Sequence, residues 1–194
     1  MKKYFLVVAL VFGLPACGLL GSDECGPVQG PTYYDVQGLS ASLARQPAAA
    51  AAETLAPNAT VARQEFRLRL RLQERYYAAA AVPGIMGAAY ACPPAAPSGL
   101  LGTAERADSL SITSAHPYDA AHPAGASLLD LLLDTADVAA QLPSPRQPQE
   151  PFRWVDFALR TPPAVAGPQR FRIYYRQTNG EVYRAETVTV TLLP

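Results

Sequence analysis

Between residues 66 and 72 apolar and cationic side chains alternate without a break: Phe66, Leu68, Leu70 and Leu72 are separated by Arg67, Arg69 and Arg71. Successive side chains of an extended chain point to opposite faces, whereas a helix would spread the three arginines around its circumference. The segment therefore predicts a half-buried strand, with four apolar residues on a core and three guanidinium groups in water. A strand with one apolar face needs a second apolar face opposite it, and the rest of the chain has to supply that face.

Further strand patterns do so. Residues 32–39 (TYYDVQGL) begin the ordered part as a strand, and 109–114 place Leu110 and Ile112 on one side. Residues 152–160 align Val155, Phe157 and Leu159, and 170–177 (RFRIYYRQ) are aromatic and β-branched. Asn179-Gly180 is a strong hairpin signal, and 182–192 return with Val188, Val190 and Leu192 in alternation. Residues 88–94 read as a short strand ended by Pro93-Pro94. The Ala-rich stretch 46–62, bracketed by Pro47 and Pro57, reads as an exposed loop, and 143–151 as a proline-rich connection. Residues 127–133 (SLLDLLL) admit two readings. Ser127 three residues before Asp130 resembles a capping box and suggests a short helix; a buried strand is the alternative. The 19 prolines argue against a helical bundle. The expected fold class is all-β, an antiparallel, immunoglobulin-like β-sandwich with at most one short helix.

The N-terminus has another character. Lys2 and Lys3 precede an apolar stretch at residues 4–13, and Leu14-Pro15-Ala16-Cys17 follows. This is the layout of a secretory signal, and the apolar run is well short of the ~20 residues that a spanning helix needs. Leu14, Ala16 and Cys17 resemble a lipobox, while Pro15 departs from its usual small residue. The resemblance implies that residues 1–16 are a lipoprotein signal peptide and that Cys17 carries the lipid. Residues 17–31 then form a lipidated tether and 32–194 the β-sandwich domain. Several acyl chains make such anchoring effectively permanent, where one chain is marginal. Within the tether, Ser22-Asp23-Glu24 resembles the acidic signal that directs some Bacteroidetes lipoproteins to the cell surface; a plain acidic tether is the alternative.

Both lysines lie in the expected signal peptide, so the mature chain holds 14 Arg against 16 Asp plus Glu, a net of −2. A net-acidic chain without basic tracts is a poor nucleic-acid binder. With Cys17 lipidated, Cys25 and Cys92 remain, an even pair suited to a disulfide in an exported protein; two separate thiols are the alternative.

Taken together, the lipobox, YYDVQGLSA, DSLSITSAHPYDAAHPAG with the following L-D-L run, and FRIYYRQTNGEVYRAETVTVTL resemble a family of Bacteroidetes lipoproteins without an assigned activity. The resemblance implies an outer-membrane lipoprotein of the cell envelope and brings no catalytic residues with it.

Candidate chemistry is sparse. His116, Asp119 and His122 lie within seven residues and are zinc-type ligands; they are weak metal candidates because a fourth ligand is missing. These are the only histidines, and the chain holds no nucleophile elbow of the GxSxG type. The arginines of 66–72 with Arg170, Arg172 and Arg176 suggest a basic face for anionic glycans or lipid headgroups. A solvated row paired with Glu65, Glu181 and Glu186 is the simpler reading. Tyrosine pairs at 33–34, 76–77 and 174–175 offer stacking surface, with one of each pair expected inward. Asp108-Ser109-Leu110 and Asp134-Thr135-Ala136 resemble O-glycan acceptor sites of Bacteroidetes proteins. The expectation is a membrane-anchored binding or structural module, without catalytic residues, metal or cofactor. Its expected partners are the membrane, through the lipid on Cys17, and an envelope protein or glycan. The alternative is a metal-dependent or hydrolytic enzyme using the loop of His116, Asp119 and His122.

Overall fold

A computed structural model describes residues 32–78, 98–134 and 143–194. The expected signal peptide and tether, Cys17, Cys25, Cys92, the strand expected at 88–94 and Thr135 lie outside the described residues. The chain divides into two compact units. The larger comprises Tyr34–Arg75 and Thr103–Pro194; the described residues of the smaller are 32–33, 76–78 and 98–102.

The described residues are all-β. Their strands are β1 (Thr32–Arg45), β2 (Glu53–Thr54), β3 (Thr60–Ala62), β4 (Phe66–Ala78), β5 (Ala107–Ser114), β6 (Leu132–Asp134), β7 (Trp154–Leu159), β8 (Gly167–Gln169), β9 (Phe171–Gln177), β10 (Val182–Glu186) and β11 (Val190–Leu193). Helical structure among them is limited to two three-residue 3-10 turns, Arg63–Glu65 and Leu129–Leu131. No helix among them is long and apolar enough to cross a membrane. A five-stranded sheet runs β2-β1-β4-β7-β6, and two three-stranded sheets run β10-β9-β5 and β3-β11-β8. The pairing is antiparallel except between β3 and β11, which run parallel with Thr60 opposite Thr191.

The alternation at 66–72 becomes β4, the middle strand of the largest sheet. Phe66, Leu68 and Leu70 are wholly buried and Leu72 nearly so. On β7, Val155, Phe157 and Leu159 are buried as the pattern requires, with Leu68 opposite Phe157 and Leu70 opposite Val155. Ile112 of β5 and Phe171, Ile173 and Tyr175 of β9 belong to the same hydrophobic cluster. Phe66 meets Phe171 with ring centroids 5.4 Å apart, so the β4 and β9 sheets share one core in the manner of a β-sandwich. Burying each such side chain contributes about 1.5–3 kcal/mol.

Four expectations need correction. The stretch 46–62 is not merely an exposed loop, because it contains β2 and β3 and buries Leu55 and Val61. Residues 127–133 combine the two readings in place of either alone: a 3-10 turn, Leu129–Leu131, leads into β6, with Leu128 at the N-cap position and the Ser127 hydroxyl accepting the Leu129 N–H at 3.4 Å. Of the tyrosine pairs, 33–34 and 174–175 each put one ring inward, yet Tyr76 and Tyr77 are both exposed, at the far end of β4. The fourth concerns 182–192, which is two strands. Tyr183, Ala185 and Thr187 face inward on odd positions; Val190 and Leu192 face inward on even ones, and Val188 is exposed. A one-residue change of parity turns every later side chain to the other face, so one strand cannot serve both halves. The chain passes instead from the sheet of β10 to that of β11.

The hairpin between β9 and β10 forms as expected, by a different turn. Gly180 N–H donates to Gln177 O at 2.9 Å, and Gly180 alone in the turn has positive φ, +89°. That is a three-residue loop with its glycine in the left-handed region, rather than a two-residue turn that needs positive φ at Asn179 as well. Asn179 Oδ1 accepts the Glu181 N–H at 2.9 Å, which steadies the turn.

Candidate functional site

The loop after β5 is anchored at its base by buried polar groups. The Ser114 hydroxyl donates to Gln169 Oε1 at 2.6 Å and accepts the His116 N–H at 3.1 Å. Gln169 Nε2 donates to Pro117 O at 3.0 Å. Tyr118 is buried, and its hydroxyl donates to Thr161 O. Desolvation pushes its pKa up to about 12, so it stays a neutral donor.

Asp119 organises the second half of the loop. Its Oδ1 accepts the N–H groups of Ala121 and His122, both at 2.8 Å, and lies 2.8 Å from His122 Nδ1. His122 Nε2 lies 3.0 Å from Asp130 Oδ2, in the 3-10 turn before β6. A ring with a carboxylate at each nitrogen is stabilised as the doubly protonated imidazolium. The hydrogen bonds to Asp119 and then Asp130 accordingly raise the His122 pKa, and the bond to His122 lowers that of Asp119. The structure thus joins Asp119 and His122 but leaves His116 out, and it adds Asp130. Nothing in the local spacing marked Asp130 for this role; its position after Ser127 suggested a cap. Both His122 nitrogens are engaged, so this ring offers no free base, and the arrangement acts as a clamp on the loop. Among the described residues no three His, Cys, Asp or Glu side chains are grouped to hold a metal ion.

The second candidate is the solvent face of β4 and β7. Because Leu68, Leu70, Val155 and Phe157 face the core, the residues between them face water. Arg69 lies opposite Asp156 and binds it through two parallel bonds, Nε to Oδ1 at 2.8 Å and Nη2 to Oδ2 at 2.7 Å. Arg71 lies opposite Trp154, which is 64% exposed. Arg67 folds back to the Gln64 and Phe66 carbonyls at 3.1 and 2.7 Å. The Arg71 guanidinium takes no acid or carbonyl partner among the described residues, which leaves an exposed indole and an available cation side by side.

The wider basic face does not form, because β4 and β9 belong to different sheets, and the arginines of β9 pair with acids as the simpler reading has it. Arg170 and Arg172 pair with Glu186 at 3.2 and 2.9 Å, and Arg176 pairs with Asp108 at 2.8 Å and donates to Ser109 Oγ at 3.3 Å. Glu65 pairs with Arg45 at 3.5 Å, whereas Glu181 accepts the Tyr183 hydroxyl and, among the described residues, pairs with no arginine. Asp108 and Ser109, of the tripeptide that resembles an O-glycan acceptor, are therefore engaged with Arg176 within β5 and β9.

In the smaller unit, Tyr33 and Tyr77 stack with centroids 5.6 Å apart and planes inclined by 22°. Thr32 holds this unit's Ser98–Leu101 turn by accepting Gly99 N–H on Oγ1 at 2.7 Å and Leu101 N–H on its carbonyl at 3.0 Å. Comparison with protein-family models, curated proteins and solved structures returns no match.

Proposed function

We propose that this chain is an exported lipoprotein, held at the outer membrane of a cell envelope by lipid on Cys17, whose β domain works by surface contact rather than catalysis. The reading joins the Bacteroidetes-type lipobox and tether to the exposed face of β4 and β7. One observation carries the contact surface: Trp154, 64% exposed, stands directly opposite Arg71 on that face. A large aromatic side chain left in water beside an available guanidinium is the composition of an interaction hot spot. The His122 clamp supports the reading from the other side, since its imidazole is committed to two carboxylates.

Two measurements test it. Metabolic labelling with palmitate is expected to mark the parent and not Cys17→Ala. Purified mature chain (residues 17–194) is expected to bind an isolated envelope fraction, and Trp154→Ala to weaken that binding about tenfold. Equal labelling of both chains would remove the anchor, and binding indifferent to Trp154→Ala would remove the contact face.

A further inference from the structure

We propose that the solvent face of β4 and β7 binds an acidic polysaccharide, with Trp154 stacked on a sugar ring and Arg71 paired to its carboxylate. The inference rests on the reading of that face as the contact surface and names its ligand class. Charge selects the anion. Arg67, Arg69 and Arg71 stand in one row, and the opposing acid, Asp156, already gives an oxygen to each of two Arg69 donors. An anion arriving at Arg71 therefore meets a cation whose guanidinium is available for a two-point bond to a carboxylate.

Shape selects the sugar. The face is a sheet surface, with β1 on the other side of β4. Ser40 of β1 donates to Arg71 O at 3.1 Å, so Ser40, Arg71 and Trp154 occupy three adjacent strands across a span of about 10 Å. Gln73, the next outward residue of β4, reaches over Gly38, whose missing side chain leaves the room: a Cβ there would lie 2.7 Å from Gln73 Oε1. The result is a low platform with an aromatic ring, a cation, an amide and a hydroxyl. Aromatic rings stack on the apolar faces of sugars, and amides bond their hydroxyl groups. A lipid bilayer would ask for several protruding apolar side chains, and a nucleic-acid backbone for several available cations. Here Trp154 is the protruding apolar side chain of the β4–β7 pair, and among the described residues of these two strands the cations without an acid or carbonyl partner are two, Arg71 and Arg75 further along β4, which suits one or two carboxylates better than a bilayer or a phosphate backbone.

Polygalacturonate is the probe, with its methyl ester as the uncharged counterpart and phosphatidylglycerol vesicles as the lipid alternative. Calorimetric titration of the mature chain is expected to show binding to polygalacturonate that weakens with salt. Arg71→Gln and Trp154→Ala are each expected to weaken it about tenfold. Trp154→Phe, which keeps a stacking ring, is expected to stay close to the parent, and the methyl ester to bind at least tenfold more weakly. No binding of polygalacturonate by the parent, equal binding of the ester, or indifference to both substitutions would overturn the proposal. Vesicle binding in place of polygalacturonate, lost in the same two variants, would also overturn it and assign the face to lipid. Should envelope binding depend on Trp154 while polygalacturonate fails, the ligand class falls and the contact face stands. Should envelope binding ignore Trp154, the face itself falls.

Discussion

His122 reaches Asp130 across eight residues, Nε2 to Oδ2 at 3.0 Å, and so ties the loop after β5 to the 3-10 turn that leads into β6. With Asp119 on the other nitrogen, the clamp has a sign in pH. The folded pKa of His122 is raised, chiefly by its bond to Asp119 and next by that to Asp130. Its contribution is therefore complete below the ordinary histidine value of about 6.5 and is lost as pH rises through the elevated one. The folded pKa of Asp119 is lowered, chiefly by His122, so its share is complete above about 3.9 and is lost as pH falls through the depressed value. The clamp thus contributes most between about pH 4 and about pH 6.5. The expected result is a melting temperature that falls between about pH 6 and about pH 9 in the parent, with a shallower fall in His122→Asn. Parallel slopes in the two proteins would show that the clamp carries no such linkage.

The core and solvent faces of β4 differ in cost by residue parity. Leu70 is wholly buried, and Leu70→Ala is expected to lower the unfolding free energy by about 2–5 kcal/mol. Arg71, one position on, faces water, and Arg71→Ala is expected to stay within about 0.5 kcal/mol of the parent. Urea denaturation of both variants measures the contrast. Similar losses in the two would contradict the register of β4.

Those two positions also show how far the sequence was legible. Strict alternation by itself places Leu70 and Arg71 on opposite faces, because the two-residue period leaves no other solution. The same logic holds for Val155 and Phe157, and for Ile173 and Tyr175. It fails where tertiary packing decides. Leu55 and Val61 sit in an Ala-rich stretch with no period, and they are buried because neighbouring strands accept them. Val188 fits an alternating run yet is exposed, since the chain changes sheets there. Trp154 opposite Arg71 needed the β4–β7 register, and Asp130 needed the fold of the loop around His122. Such pairings are long-range facts that local pattern does not contain.

The β9–β10 turn gives a backbone prediction. Gly180 has φ of +89°, and nothing lies within 4 Å of a Cβ built there, so a substitution meets backbone strain and not a clash. Gly180→Ala is expected to cost about 1–2 kcal/mol. Gly167 is the control. Its φ lies outside the positive range, and the nearest atom to a built Cβ is Val165 O at 4.0 Å, so Gly167→Ala is expected to cost less. Thermal unfolding of the pair checks the order, and a reversed order would deny the left-handed turn.

The change of sheet after β10 rests on one hydroxyl. Thr187 is 5% exposed, and its Oγ1 accepts the Phe171 N–H at 3.0 Å while donating to Val188 O at 3.0 Å. Its own N–H donates to Phe171 O at 3.0 Å. The main chain here leaves β9 before it reaches β11, so Phe171 N–H has no strand carbonyl and depends on the side chain. Thr187→Val keeps the volume and the branched shape but removes both hydroxyl bonds, leaving a buried donor without an acceptor. That loss is expected to cost about 1–3 kcal/mol. Thr187→Ser keeps the hydroxyl and gives up one methyl, so it is expected to cost less, about 1 kcal/mol. Amide hydrogen exchange distinguishes a local from a general effect: in Thr187→Val the Phe171 amide is expected to lose protection beyond the change in global stability, and in Thr187→Ser to retain it. Unchanged protection of Phe171 in Thr187→Val would mean that the sheet crossing is held by packing alone.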